Sequence, residues 1–452
     1  MKTKPISILF VVLALLSAGT WHAYSHFFST SAKLNSLVKA YVEQGSFSGS
    51  VLVAKDGKIL LCKGYGFANY EHEVPNSPET KFRLGSITKQ FTSMAIMQLQ
   101  ERGLLNVSDS VAKYIPDYPR GNEITIHHLL THTAGIPNVT AFPKYQKKKI
   151  KPHTLEQLIN RFKDKPLEFK PGEKHRYSNS GYMLLGYIIE KASGKKYETI
   201  LKENIFVPLE MNNSGYDKAS LVLKNRASGY GKADDELINS GYIDMSFPAG
   251  AGALYSTVED LYLWDQALYT EKLATKESLE TSLTPFKGNY GYGWCIGESY
   301  NHNFVGHGGG IDGFSTDIVR YPDDKICIII LSNLEYAHPS GISNKIAAVL
   351  FGKRYELPKK HVIVKVDPQI YDQYVGKYKL REKFFITVTK ENDKLITQAT
   401  EQGKIEIFPE SETVFFNIGI DAQISFVKDD SGKVTKLILH QGGVESVAEK
   451  VD

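Results

Sequence analysis

The sequence predicts an α+β domain, with an antiparallel sheet flanked by helices and an inserted helical region, followed by a small all-β barrel-like domain. Three observations predict it. Two strand pairs with tight turns lie far apart in the chain, so one sheet draws on both ends of its segment. The residues between them carry helical periods and loops. After about Gly352 the pattern changes to short, evenly spaced strands.

The elements follow in chain order. Lys2 and Lys4 precede an apolar run from Ile6 to Leu16, and Ala23-Tyr24-Ser25 fits a small-x-small cleavage site. Residues 1–25 therefore read as a signal peptide or N-terminal anchor. The run is short for a span of about 20 residues. Export is expected, to the periplasm, the extracellular space or the outer face of the cytoplasmic membrane. Ser50–Ala54 and Lys58–Cys62 are β-rich around Asp56-Gly57, which suits a primed hairpin turn. Ile87, Phe91, Met94 and Ala95 recur at amphipathic helical spacing, with Gly103 as a stop. Tyr182–Ala192 is a second helical run ending near Gly194. Leu261–Leu268 is a third, after the acidic start Glu259-Asp260. Phe314–Tyr321 and Lys325–Leu331 flank the turn Pro322-Asp323-Asp324.

Residues 26–352 thus form the first domain and 353–368, basic with two prolines, a linker. Residues 369–452 form the second domain, with strands at Phe384–Thr389, Lys394–Gln398, Lys404–Phe408, Val414–Asn417, Gln423–Val427 and Lys433–Leu439.

Composition excludes several classes. Of 452 residues, 42% are hydrophobic and 23% charged, the balance of a soluble globular protein. A net charge of +4 gives no electrostatic footprint for nucleic acid. The chain has no CxxC or HExxH, so neither a metal nor another cofactor is expected. Three cysteines cannot all pair, and Cys62 and Cys327 lie in apolar runs that suit small buried side chains. The basic run Lys147-Lys148-Lys149-Lys151 reads as a solvated loop. Its alternative is peripheral contact with anionic wall polymer or lipid headgroups.

The chemistry concentrates at Ser86-Ile87-Thr88-Lys89. A serine at a helix start sits in the positive end of the dipole, where an alkoxide is favoured. Its N–H can face an oxyanion. Lys89 follows one turn later on the same face, and a desolvated lysine can take the serine's proton. Tyr177-Ser178-Asn179 lies between Pro171-Gly172 and a helix. His307-Gly308-Gly309 precedes a strand. Gly308–Gly313 also spells GxGxxG, but without the strand-to-helix setting of a nucleotide site.

In this order and spacing SxxK, YxN and HxG resemble the class C β-lactamases, the D-alanyl-D-alanine carboxypeptidases and related esterases. Leu129–Gly135 and Tyr290-Gly291-Tyr292-Gly293-Trp294 look like the same group, and the resemblance spans roughly Gly45 to Gly352. It implies a β-lactamase-like transpeptidase fold and an acyl-enzyme on Ser86. Lys89 and Tyr177 would share the base work. Asn179, His307, Gly308 and Gly309 would bind substrate, and the N–H groups of Ser86 and Gly310 would form the oxyanion hole. A protonated His307 would stabilise a Tyr177 phenolate and read a substrate carboxylate. Class C β-lactamases carry lysine at that position, and histidine counts against efficient β-lactam hydrolysis. His132 is taken as structural, bonding backbone near the site. Tyr374-Val375-Gly376-Lys377-Tyr378 resembles an appended lipocalin-like domain.

The expected function is hydrolysis of an amide or ester through an acyl-serine, on peptidoglycan-type D-amino-acid peptides. The alternatives are a β-lactamase, a broad esterase, or a catalytically silent binder of cell-wall peptides. The expected partner is a small-molecule or peptide substrate.

Overall fold

A computed structural model describes residues 29–233, 236–358, 362–400, 402–417, 422–441 and 444–451. The expected signal segment, residues 1–25, lies outside them. The chain divides into two compact units between Ser343 and Asn344.

In the first unit, helix α1 (29–43) precedes β1 (Gly49–Lys55) and β2 (Lys58–Tyr65). Asp56 and Gly57 both adopt positive φ, as a type I′ turn requires. Helix α2 (Thr88–Glu101), α3 (Asn179–Ser193) and α4 (Val258–Ala267) belong to the inserted region. The chain then returns to the sheet as β3 (Cys295–Ser299), β4 (His302–Ile311), β5 (Phe314–Tyr321) and β6 (Ile326–Ser332), and the division between the units falls within the next helix, α5 (Pro339–Leu350). The sheet runs β3-β4-β5-β6-β1-β2, antiparallel throughout. Gly49 pairs with Ser332, so the two ends of the segment meet at its centre. Every residue of β6 is buried, as expected of a strand covered on both faces.

Two sequence readings change. The helix expected to be amphipathic is buried on all sides from Thr88 to Leu99. Its polar side chains find partners: the Trp264 indole donates to Gln90, and Thr92 bonds Tyr197 and the Gly250 carbonyl. His307-Gly308-Gly309 precedes strand β5 as expected, but it also lies inside a strand of its own, β4, which the sequence did not reveal. Glycine has no side chain to carry the period-2 signal.

The second unit is a closed eight-stranded barrel. Its strands are β7 (Gly376–Arg381), β8 (Phe384–Glu391), β9 (Lys394–Ala399), β10 (Lys404–Pro409), β11 (Val414–Phe416), β12 (Ala422–Lys428), β13 (Val434–Gln441) and β14 (Val444–Lys450). Six of these were legible, and β7 and β14, which pair to close the ring, were not. Tyr374 stacks on Phe426 at 4.2 Å, and Tyr378 donates to the Tyr374 carbonyl at 2.8 Å, so aromatic rings fill the barrel core.

Candidate active site

The turn that carries Ser86 is pinned from two sides. Leu84 N–H donates to the Leu254 carbonyl at 2.8 Å, and Thr316 Oγ1 on β5 donates to the Leu84 carbonyl at 2.8 Å. Gly85 sits at φ +54°, and a Cβ there would lie 2.8 Å from the Gly310 nitrogen. Only glycine lets the turn adopt this shape so close to β4. Residues 85–87 form a 3₁₀ turn that runs into α2, so Ser86 stands at the helix entrance with its side chain partly exposed.

Lys89 is fully buried on the first turn of α2. Its Nζ lies 2.9 Å from Ser86 Oγ, 2.9 Å from Asn179 Oδ1 and 2.8 Å from the Ala251 carbonyl. Burial holds its pKa well below the ordinary lysine value. The Asn179 and Ala251 oxygens can only accept, so they take two amine hydrogens. In the neutral amine the lone pair is then left facing the Ser86 hydroxyl.

Tyr177 completes the group from the segment before α3. Its hydroxyl hydrogen-bonds Ser86, and Lys89 Nζ lies 4.8 Å from its ring centroid. Burial pushes the Tyr177 pKa up, so the phenol keeps its proton at neutral pH. The His132 ring packs on the Tyr177 ring at 4.2 Å, and the Ser178 N–H donates to His132 Nδ1 at 3.2 Å. Asn179 is fixed further by Thr140, 3.3 Å from its Nδ2.

Strand β4 forms the opposite wall. Gly309 packs so tightly that a Cβ would meet the Leu84 carbonyl at 2.0 Å, whereas a Cβ on Gly310 would point into open space. Neighbouring β3 pairs only with residues 302–306. From His307 onward, β4 therefore has a backbone edge without a sheet partner on that side. A small cleft beside Ser86 runs along Asn179 and Gly310 and is walled by Tyr145, Met183, Phe247, Pro248 and Ile311.

His307 departs from expectation. The ring is buried, with Nδ1 2.6 Å from the Gly308 carbonyl and Nε2 2.9 Å from the Tyr290 hydroxyl. Burial, with Lys89 nearby, lowers its pKa to about 4. The ring is neutral at neutral pH, and the protonated His307 expected from the sequence is not supported. Lys149 also differs from its expected solvated place. It is buried and ion-paired to Asp312. Reading the sequence also missed the Ala251 carbonyl, Thr140 and the role of Tyr290. Only Tyr290 had a signal, the YGYGW string.

The Beta-lactamase family profile matches residues 34–353. The chain belongs to the β-lactamase family. This β-lactamase-family chain is 33% identical to Penicillin-binding protein 4* of Bacillus subtilis, over 92% of its own length and 97% of the relative. It is 32% identical to the putative penicillin-binding protein PbpX of the same organism, over 70% and 78%. Among solved structures, the octameric penicillin-binding protein homologue from Pyrococcus abyssi superposes with a TM-score of 0.67 at 30% identity, covering 92% of this chain and 99% of that one. The D-amino acid amidase from Ochrobactrum anthropi shares the fold, with a TM-score of 0.66 at 21% identity, covering 72% of this chain and all of the amidase. Residues 360–449 match a domain of unknown function, DUF3471, appended to the β-lactamase domain. The protein is a serine hydrolase of the β-lactamase and penicillin-binding-protein group. Among the described residues no helix is long and apolar enough to cross a membrane.

Proposed function

We propose that the protein hydrolyses an amide or ester bond in D-amino-acid peptides through an acyl-enzyme on Ser86. The observation that carries this reading is the Lys89 amine, wedged between two acceptor oxygens with its remaining valence toward Ser86. Ser86 Oγ attacks the carbonyl as its proton passes to Lys89. The N–H groups of Ser86 and Gly310 hold the oxyanion, a role whose loss typically costs about 3–4 kcal/mol per donor. Tyr177, as a neutral phenol, passes the proton from Lys89 to the leaving group. The C–N or C–O bond breaks and Ser86 is left acylated. Water, deprotonated by the same pair, then releases the acid and restores Ser86.

Asn179 orients Lys89 and reaches the substrate amide, and Gly308 and Gly309 let β4 come close enough to line the acyl chain. His307 serves by position rather than by charge. That neutral ring supports amidase or esterase action over β-lactam hydrolysis. The same reading takes residues 26–352 as the hydrolase, 353–368 as a linker and 369–452 as an appended module. It takes residues 1–25, by their basic start, apolar run and small-x-small site, as the export signal or anchor.

Intact-mass analysis after exposure to an activated ester tests the reading. The unmodified protein gains one acyl group on the peptide containing Ser86, and Ser86→Ala gains none. Equal labelling of Ser86→Ala at that peptide would remove Ser86 as nucleophile.

A further inference from the structure

We propose that His132 is a positioning residue of the reaction, which holds the Tyr177 phenol where it hands a proton to the leaving group. This goes beyond the acyl-enzyme reading but rests on the part given there to Tyr177.

Tyr177 stands just ahead of α3, in a stretch of chain that a second stretch holds in place. Three backbone N–H groups donate across to residues 132–138. Arg176 donates to the His132 carbonyl at 2.9 Å, Ser178 to His132 Nδ1 at 3.2 Å, and Asn179 to Asn138 Oδ1 at 3.2 Å. His132 thus grips the residue on each side of Tyr177. Its ring also covers Tyr177 itself. The two centroids lie 4.2 Å apart, against 6.0 Å from Tyr177 to His307 and 6.2 Å to Tyr290. Backbone carbonyl, Nδ1 and ring together fix where the phenol points.

The imidazole is specific to this task. A backbone N–H can only donate, so Nδ1 is unprotonated and the ring hydrogen is on Nε2. That Nε2 is buried and meets no acceptor among the described residues. A lone buried donor is costly, and an apolar side chain here would avoid the cost. What the histidine adds is the acceptor at Nδ1. Burial, with Lys89, His307 and His175 nearby, holds the pKa of His132 well below the ordinary histidine value, so Nδ1 stays bare at neutral pH. The backbone agrees. His132 adopts φ +55°, a left-handed conformation that histidine and asparagine enter more readily than most residues with a side chain.

The test compares the ethyl and p-nitrophenyl esters of N-acetyl-D-phenylalanine, which share one acyl group. The ethoxy group needs a proton to leave, whereas p-nitrophenolate leaves without one. On the full-length protein kcat/KM is measured for both, because it reports acylation and not the shared deacylation. Tyr177→Phe is read first and should lose about 100-fold on the ethyl ester and far less on the other. His132→Leu removes acceptor and ring. It should lose at least about 10-fold more on the ethyl ester than on the p-nitrophenyl ester. His132→Asn suits the positive φ and offers Oδ1 to Ser178, so it gives a folded protein even where leucine does not. It should lose less than the leucine variant, with the same bias toward the ethyl ester. Either change added to Tyr177→Phe should cost nothing further on the ethyl ester. Equal losses on the two esters in a folded His132 variant, or losses that add to that of Tyr177→Phe, overturn the proposal and leave Tyr177 in its role. A Tyr177→Phe protein that treats both esters alike overturns the proton-passing role of Tyr177, and this proposal with it.

Discussion

Gly309→Ala isolates the fit between strand β4 and the Ser86 turn. The added Cβ would lie 2.0 Å from the Leu84 carbonyl oxygen and 2.3 Å from Thr316 Oγ1, where real Cβ contacts essentially never fall under 3.0 Å. Both atoms belong to the hydrogen bond that pins the turn. The strand or the turn must therefore move by about 1 Å, a displacement that can cost ~100-fold in rate when reacting groups lose alignment. Overpacking of this kind costs about 1–3 kcal/mol of stability. Gly310→Ala is the matched control, because its Cβ meets nothing within 4 Å. Turnover of an activated ester and thermal melting should be measured on both variants. Gly309→Ala is expected to stay folded with a lower Tm and to lose ~100-fold in kcat/KM. Gly310→Ala should keep its Tm. Unchanged kcat/KM in Gly309→Ala would refute the argument that this contact sets the position of Ser86.

Other consequences follow from the same packing. Lys89→Arg should lose at least ~100-fold in ester turnover, because a guanidinium cannot give up its proton at working pH; retained activity would remove Lys89 as base. Since burial lowers the Lys89 pKa, activity should fall as pH drops through that lowered value and the amine charges. His307 has a folded pKa of about 4 against 6.5 for the free side chain. Between those values the unfolded chain binds the proton and the folded one does not. Stability is then full above 6.5 and declines toward pH 4, by on the order of 3 kcal/mol in total. A His307→Gln variant should lack that part of the Tm–pH curve, and superimposable curves would contradict the burial argument. Arg320 on β5 and Asp265 on α4 form an ion pair, each about 1% exposed. Arg320→Ala leaves Asp265 buried without its partner and should cost about 3–5 kcal/mol by chemical denaturation.

Much of this architecture was legible where side chains carry the signal. Asp56-Gly57 between two apolar runs marked the first hairpin, and Pro322-Asp323-Asp324 marked the turn that joins β5 to β6. Strand β4 was not legible beyond its end, because four of its ten residues are glycines and glycine shows no face. The inward face of Lys149 could not be told from that of its lysine neighbours, since only the fold brings Asp312 to it. Ser86, Lys89, Tyr177 and Asn179 stood out by their spacing, and the fold brings them together. The Ala251 carbonyl could not stand out, because any residue supplies one. His307 shows the limit most clearly. Residue type sets a pKa near 6.5, and burial with two satisfied nitrogens decides the charge.

The pairing of Gly49 with Ser332 also constrains how the molecule folds. Strand β6 is the most apolar of the sheet, and its partner β1 emerges from synthesis almost a whole domain earlier. Until β6 arrives, the β1–β2 hairpin has one open edge and nothing to cover its apolar face. Pairings of such separation carry a large loop-closure cost and slow the crossing to the native state. The chain therefore cannot complete its sheet progressively from the N-terminus as it lengthens. The central pairing of the sheet has to wait until nearly the full hydrolase segment is available.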